Sequence, residues 1–355
     1  MNNPNIKIVG AGLLGTSLGL ALARQGVTAQ LEDQSKANLR LAIEYGAGID
    51  SGAEPDLVVV CVPPDLTADV VVSQLQKHPN SIVTDVASVK GKIAQEVANA
   101  AGDSAIRYIG SHPMAGREKG GPGAARADLF FARPWVICAT SDLQEQGIAI
   151  IRDLAVRVGA LPTEQTAQEH DGAVALVSHL PQLASSLLAA RLSAGTEDQL
   201  ALAGQGLRDT SRIAASDADL WVQIISQNAV ALAPLLNDLS DDLRSLAAAV
   251  SDIDATGSLA KIHGALTAGN AGVSRIPGKH GGKHTQYQVV TAMIEDAPGA
   301  LAQLLTFIGE IGVNLEDINL EHSPGAPIGL VEMQVLPEVA SHLSEQLIAN
   351  GWRLA

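Results

Sequence analysis

Basic residues are in short supply: 23 Lys and Arg stand against 38 Asp and Glu, a formal net charge of −15. Phosphate backbones are held by clustered Lys and Arg, so no nucleic-acid partner is expected, and the acidity reads as plain solubility. Aromatic residues make up only 3% of the chain, which leaves a core of Ala, Leu, Val and Ile. There are two cysteines, Cys61 and Cys138, each inside an apolar strand-like run (LVVVCV and WVIC). They read as small core residues rather than a disulfide or a metal pair. No His, Cys, Asp and Glu grouping has metal-ligand spacing, so no metal is expected. No apolar run approaches roughly 18 residues, and the chain opens on a strand without a basic, apolar leader, so neither a membrane span nor secretion is expected. The expected location is the cytoplasm.

What is present divides the chain into segments. Over 1–166, short β-branched runs (IKIVG, TAQLED, DLVVVCV, SIVTDV, RYIGS, PWVICAT) alternate with helical stretches, which predicts parallel β-α-β units in an α/β, doubly wound sheet of Rossmann type. Over 167–268 the chain turns into long Ala/Leu-rich segments without strand-like runs, an all-α domain whose helices are apolar on several faces and are expected to meet a second subunit. Residues 269–284 are Gly-rich and basic and read as a linker. Over 285–355 the order β-α-β-β-α-β predicts a ferredoxin-like α+β domain.

GAGLLG places Gly10, Gly12 and Gly15 in G-x-G-x-x-G spacing directly after the strand IKIV and at the opening of a helix, with Leu13 and Leu14 in its first turn. Asp33 ends the next strand. The glycines allow a tight turn, close approach of a pyrophosphate and close helix packing, while helix-start amides face the phosphates. An acid at position 33 accepts from a ribose 2′-hydroxyl and repels a 2′-phosphate. The expected cofactor is therefore NAD rather than NADP, a lean that Glu32 strengthens, and its chemistry is hydride transfer.

Four polar clusters stand out: TDVASVK (84–90), GSHPMAGRE (110–118), HDGAVALVSHLPQ (170–182) and GLRDTSRIAASDADLW (206–221). The first two follow strands and belong at the carboxyl edge of the sheet, where such folds bind ligands. The histidine of the second, His112, is a candidate base, since a neutral imidazole can polarise a hydroxyl as it becomes a carbonyl; a loop histidine capping a strand is the other reading. Pro113 biases His112 towards an extended backbone. Ser88 is a candidate hydrogen-bond partner of a reacting hydroxyl or of His112, or an N-cap of the helix that follows. His170 and Asp171, adjacent at a helix start, read as architectural or as support behind the reacting groups, rather than as catalytic.

Taken together, the DVxSVK, SHPMAG, SHLP and TSRIA-SD-LW motifs resemble the prephenate/arogenate dehydrogenase family of tyrosine biosynthesis, and EDAPGALAQLL (295–305) resembles an ACT regulatory domain. The resemblance implies an NAD-dependent oxidative decarboxylation, of prephenate to 4-hydroxyphenylpyruvate or of arogenate to tyrosine, by a homodimer. It implies that His112 accepts from the ring hydroxyl, that Arg212 binds a substrate carboxylate, and that His179 helps to bind substrate. It also places Glu118 and Asp209 in an ionic network with Arg212 at the site mouth; a domain-stapling salt bridge is the other reading of these three, and a core histidine the other reading of His179. Where some members of the family carry a basic residue after SHLP, this chain has Gln182, which leaves prephenate and arogenate both open. The C-terminal resemblance implies an aromatic amino-acid effector, tyrosine foremost, at Asp296, Pro298 and Gly299, or oligomer contacts alone. A 3-hydroxyacid-type dehydrogenase and a non-catalytic sensor of NAD and an amino acid are the rival functions.

Overall fold

Strand β1 (Ile6–Val9) lies inside a seven-stranded sheet and marks the point where the strand order reverses. The computed structural model describes residues 4–116, 119–139, 144–277, 287–322 and 327–355. From β1 the chain runs through helix α1 (Leu13–Arg24) to β2 (Gln30–Glu32), then through α2 (Lys36–Glu44) to the other flank of β1 as β3 (Leu57–Val60). The helices α3 (Pro64–Lys77) and α4 (Gly91–Ala101) then connect β4 (Ile82–Asp85) and β5 (Tyr108–Pro113). The remaining elements are β6 (Pro134–Cys138), α5 (Glu145–Arg157) and β7 (Leu161–Glu164), giving the order β2-β1-β3-β4-β5-β6-β7. Beyond β2 a further strand position survives only as one parallel bridge, Gln30 to Ile49.

The strands β1 to β5 are parallel, as the alternating pattern predicts. β6 departs from that expectation and pairs antiparallel to β5, with His112 opposite Val136. The cause is the connection. A parallel return needs a crossover of a dozen or more residues, usually a helix. Among the described residues between β5 and β6, the helical structure is one 3-10 turn, Pro122–Ala124.

Successive strand residues face opposite sides of this sheet, and each side has its own core. Ile8 and Val59 pack with Leu18 and Leu22 of α1 and Leu154 of α5. Val58 and Val60 pack with Val71 and Leu75 of α3, Ile93 and Val97 of α4, and Ile224 of a later helix.

After β7, helix α6 (Ala167–Val174) passes through a π-helical turn, Ala175–His179, into α7 (Leu180–Arg191). The uninterrupted helix Ala167–Ala194, 28 residues, is long and apolar enough to cross a membrane by length and composition. Length and composition alone do not distinguish a span from a helix packed inside a folded domain, and the polar residues His170, Asp171, His179, Gln182 and Ser185 on it are buried. Short helices α8 (Glu197–Leu200) and α9 (Gln205–Ser211) lead to α10 (Ala218–Gln227), α11 (Ala229–Ser251) and α12 (Ser258–Val273). α12 therefore runs five residues into the expected linker at 269–284; Ala, Asn and Val within 270–273 hold the helix despite the glycines.

Contacts divide the chain into two compact units, residues 1–196 with 210–239, and residues 197–209 with 240–355. The helical segment thus contributes to both. The second unit ends in β8 (Gln288–Glu295), α13 (Ala300–Glu310), β9 (Asp317–His322), β10 (Ile328–Val335), α14 (Pro337–Ala349) and β11 (Arg353–Leu354). Its four strands are antiparallel in the order β11-β8-β10-β9, the connectivity expected of a ferredoxin-like plait. One face, Val290, Ala292 and Ile294 with Val331, Met333 and Val335, packs on Leu304 and Ile308 of α13 and Leu343 and Leu347 of α14.

Candidate active site

The glycine loop between β1 and α1 is closed towards the protein and open in front. Gly10 has φ +106°, and a Cβ there would lie 2.4 Å from the Cys61 carbonyl oxygen; a Cβ on Gly15 would strike the Gly10 carbonyl. A Cβ on Gly12 would meet nothing within 4 Å, so the space before the helix start is free. Gly12 is the N-cap of α1 and provides no side-chain bond, leaving the first-turn amides of Leu13 and Leu14 to face a ligand. Asp33, just beyond β2, accepts from Ala11 N and Ser35 N, each at 2.6 Å. Its carboxylate is thereby fixed beside the loop with lone pairs left for hydroxyls. These residues fit the pyrophosphate and ribose of NAD. Glu32 does not join them: its carboxylate pairs with Lys7 at 2.6 Å and Lys77 at 3.0 Å. Those two cations outweigh partial burial and hold it below the usual carboxylate range.

A second polar centre lies where β4 and β5 end. Asp85 accepts from Tyr108 Oη at 2.9 Å and from Ala87 N at 3.0 Å, and it pairs with Lys90, which also donates to Ser111 O at 2.8 Å. On the opposite face Ser111 Oγ donates to Asp85 O at 2.8 Å and accepts from Trp135 Nε1 at 3.0 Å. The two strand ends are tied together by these bonds.

His112 stands on this platform. It is part of β5, not of a loop after it, because the strand continues through Pro113. Its Nδ1 is 2.8 Å from His170 Nε2, and His170 Nδ1 is 2.9 Å from Asp171 Oδ1. Asp171 also accepts from Lys90 N and Gly91 N, both at 2.8 Å, and so caps α4 from another element. Burial first, then His170, Lys90 and His179, push the His112 pKa well below the ordinary 6.5, so the ring is neutral. Burial opposes ionisation of Asp171, but the bonds from His170, Gly91 N and Lys90 N outweigh it and hold the carboxyl low.

His179, at the end of the π-helical turn, is almost fully buried and lies edge-on to Trp221, ring centres 5.9 Å apart. Asn228 Nδ2 donates to His179 Nδ1 at 3.2 Å and to Asp171 O at 2.9 Å. Burial lowers the His179 pKa to about 4. Its ring is therefore neutral with Nδ1 accepting, which leaves the proton on Nε2.

The remaining candidates are placed unevenly. Ser88 is half-buried in the turn between β4 and α4, and it is not the N-cap of α4; that position is Lys90, without a side-chain cap. Arg212 is exposed on a 3-10 turn, Arg212–Ala214. Asp209 falls in the other compact unit, where Gln205 Nε2 donates to it at 2.8 Å. Glu118 lies outside the described residues. Gln182 is buried, its Nε2 donating to Ser186 Oγ at 3.4 Å. In the second unit, Asp296 and Pro298 precede Gly299, the left-handed N-cap of α13. Sequence reasoning missed the part taken by Asn228 and the Asp85–Lys90 pair, and it named His170 and Asp171 without their link to His112. Two opposite charges five residues apart in VTDVASVK were the available signal for the Asp85–Lys90 pair.

Residues 18–162 match the family described as prephenate dehydrogenase, nucleotide-binding domain, and residues 166–263 that described as prephenate dehydrogenase, dimerization domain. The chain is similar to a probable prephenate dehydrogenase, NovF, of Streptomyces niveus: 35% identical over 356 residues, covering 97% of this chain and 98% of the relative. It is 32% identical over 267 residues to a cyclohexadienyl dehydrogenase of Zymomonas mobilis, covering 70% of this chain and 89% of the relative. Among solved structures, Synechocystis arogenate dehydrogenase superposes with a TM-score of 0.62 at 29% identity, over 76% of this chain and 99% of that one. A prephenate dehydrogenase of A. aeolicus, in complex with hydroxyphenyl propionate and NAD+, shares the fold with a TM-score of 0.65 at 23% identity, over 77% of this chain and 99% of that one.

Proposed function

The chain belongs to the prephenate dehydrogenase family of NAD-dependent oxidoreductases, and we propose that His112 is the group that acts on the ring hydroxyl of prephenate. Bound NAD supplies the hydride acceptor, and the ring carboxylate leaves as carbon dioxide as the ring becomes aromatic. His112 Nε2, which no described residue engages, accepts from the hydroxyl and carries the positive charge that develops on it. His179 offers Nε2–H to the substrate, its other nitrogen being occupied by Asn228. Arg212 presents a planar fork to a carboxylate. Ser88 orients the hydroxyl or His112. The observation that carries this reading is a buried, neutral histidine at the carboxyl end of β5, in the same sheet whose β1 leads into the dinucleotide loop.

Steady-state kinetics of His112→Asn test it. Turnover of prephenate falls by about three orders of magnitude, the scale of losing a base, while NAD affinity is retained. Undiminished turnover overturns the assignment and leaves a binding role for the histidine.

Arogenate is the second reading. Similarity to the Synechocystis arogenate dehydrogenase and the neutral Gln182 favour it, and parallel kinetics on prephenate and arogenate decide between the two. We also propose that the chain forms a homodimer, because Leu259, Leu266 and Val273 of α12 are all more than half exposed at seven-residue spacing. The C-terminal plait is proposed as an ACT domain that binds an aromatic amino acid at Asp296, Pro298 and Gly299. Inhibition by tyrosine, abolished by Gly299→Val, is the expected result.

A further inference from the structure

We infer that Asp171 and His170 are positioning residues that fix His112 in its Nδ1–H tautomer and so leave Nε2 as the acceptor that faces substrate. The inference rests on His112 being the reacting base, but its argument is independent of the substrate. Two backbone amides, Lys90 N and Gly91 N, donate to Asp171 at 2.8 Å each. The carboxylate is therefore an acceptor in every contact described, and the 2.9 Å bond to His170 Nδ1 is donated by His170. A neutral imidazole with its proton on Nδ1 has a bare lone pair on Nε2. His170 Nε2 lies 2.8 Å from His112 Nδ1, a distance that two lone pairs would not tolerate, so His112 supplies the proton there.

The chain is anchored at its far end. Asp171 sits at the N-terminus of α4, where the amides and the helix dipole favour a carboxylate. A Cβ on residue 91 would come within 2.9 Å of Asp171 Oδ2, so Gly91 keeps the way to the amides clear. When Nε2 takes up charge from the substrate hydroxyl, the Nδ1–H bond to His170 strengthens, and the carboxylate beyond it stabilises the imidazolium. The groups that face His112 from the other elements are His170, His179 and Lys90, the last paired with Asp85, which also accepts from Tyr108 Oη; His170, Lys90 and His179 oppose that charge.

The test uses the full chain with NAD. In protein labelled with 15N in histidine, His112 is expected to show a protonated Nδ1 and an unprotonated Nε2 at neutral pH. A protonated Nε2 in the unmodified protein overturns the inference, and this measurement needs no variant to fold. Kinetically, Asp171→Asn and His170→Leu lower kcat about 100-fold, within the range for an impaired base, with KM for both substrates changed less than about threefold. His170→Gln, whose side-chain oxygen can accept from His112 Nδ1, recovers at least about tenfold of that loss. Unchanged kcat in the first two variants, or no difference between Leu and Gln at 170, overturns it. Absence of prephenate turnover in the unmodified chain would instead refute the function proposed above, while the labelled spectrum would still report the tautomer.

Discussion

Lys90 and Asp85 form an ion pair that water does not reach, their side chains keeping 1% and 0% of their exposure. Attraction alone does not repay the removal of two charges from water; the surrounding bonds do the rest. Asp85 takes donors from Tyr108 and Ala87, and Lys90 gives one to Ser111 O. Lys90→Met, or Asp85→Asn, leaves a buried partner without its counter-charge and is expected to cost about 3–5 kcal/mol of stability, read by urea unfolding. Lys90 also lowers the pKa of His112. In Lys90→Met that pKa rises, so the acid limb of kcat/KM moves to higher pH. An unmoved limb would show that Lys90 does not act on His112.

Much of this site was legible in the sequence, and the limits are physical. GAGLLG and Asp33 are local, so turn, helix start and acid could be read from spacing, and the structure brings Asp33 to the loop through Ala11 N. His112 stood out as a candidate because an apolar run leads into it, and the structure makes it part of that strand. Its link to His170 joins residues 58 apart in sequence, and neither spacing nor periodicity encodes such a contact. The direction of β6 was hidden for a related reason: PWVIC is equally apolar whether it runs parallel or antiparallel, and what decides is that the described residues before it hold one 3-10 turn in place of a crossover helix. Asn228, four residues past Ile224 on the same face, gives no sign of its two bonds until the helix is placed.

Asp33 is expected to choose the cofactor. Removing its carboxylate in Asp33→Ser deletes a charge-assisted acceptor for the ribose, a loss of roughly 1.5–3 kcal/mol, or about 10–100-fold in KM for NAD. Glu32 cannot replace it, being held by Lys7 and Lys77. Activity with NADP should rise relative to NAD, since the anion that repels a 2′-phosphate is gone. Kinetics with both cofactors check this; an unchanged ratio would remove Asp33 from the ribose site.

Arg212 is proposed to hold a substrate carboxylate, and its planar fork is the property to test. Arg212→Lys keeps the charge but loses the two-point geometry, so KM for prephenate should rise about tenfold, and more in Arg212→Leu, with kcat changed less. NAD binding, measured separately, should be unaffected. If both variants bind prephenate as well as the unmodified chain, the carboxylate is held elsewhere.

His179 makes stability depend on pH in a stated direction. In the folded chain its pKa is about 4, against 6.5 for an ordinary histidine, because burial disfavours the charged ring. Between those values the unfolded chain binds the proton and the folded one does not. The contribution of the neutral ring is thus complete above pH 6.5 and is lost as the pH falls towards 4, to the extent of about 3 kcal/mol. His112, also lowered by burial, adds in the same sense. Urea unfolding near pH 7 and near pH 5 should show the loss, and His179→Gln should show a smaller one. Equal losses in the two proteins would mean that His179 titrates normally in the fold and that its ring is not held neutral by burial.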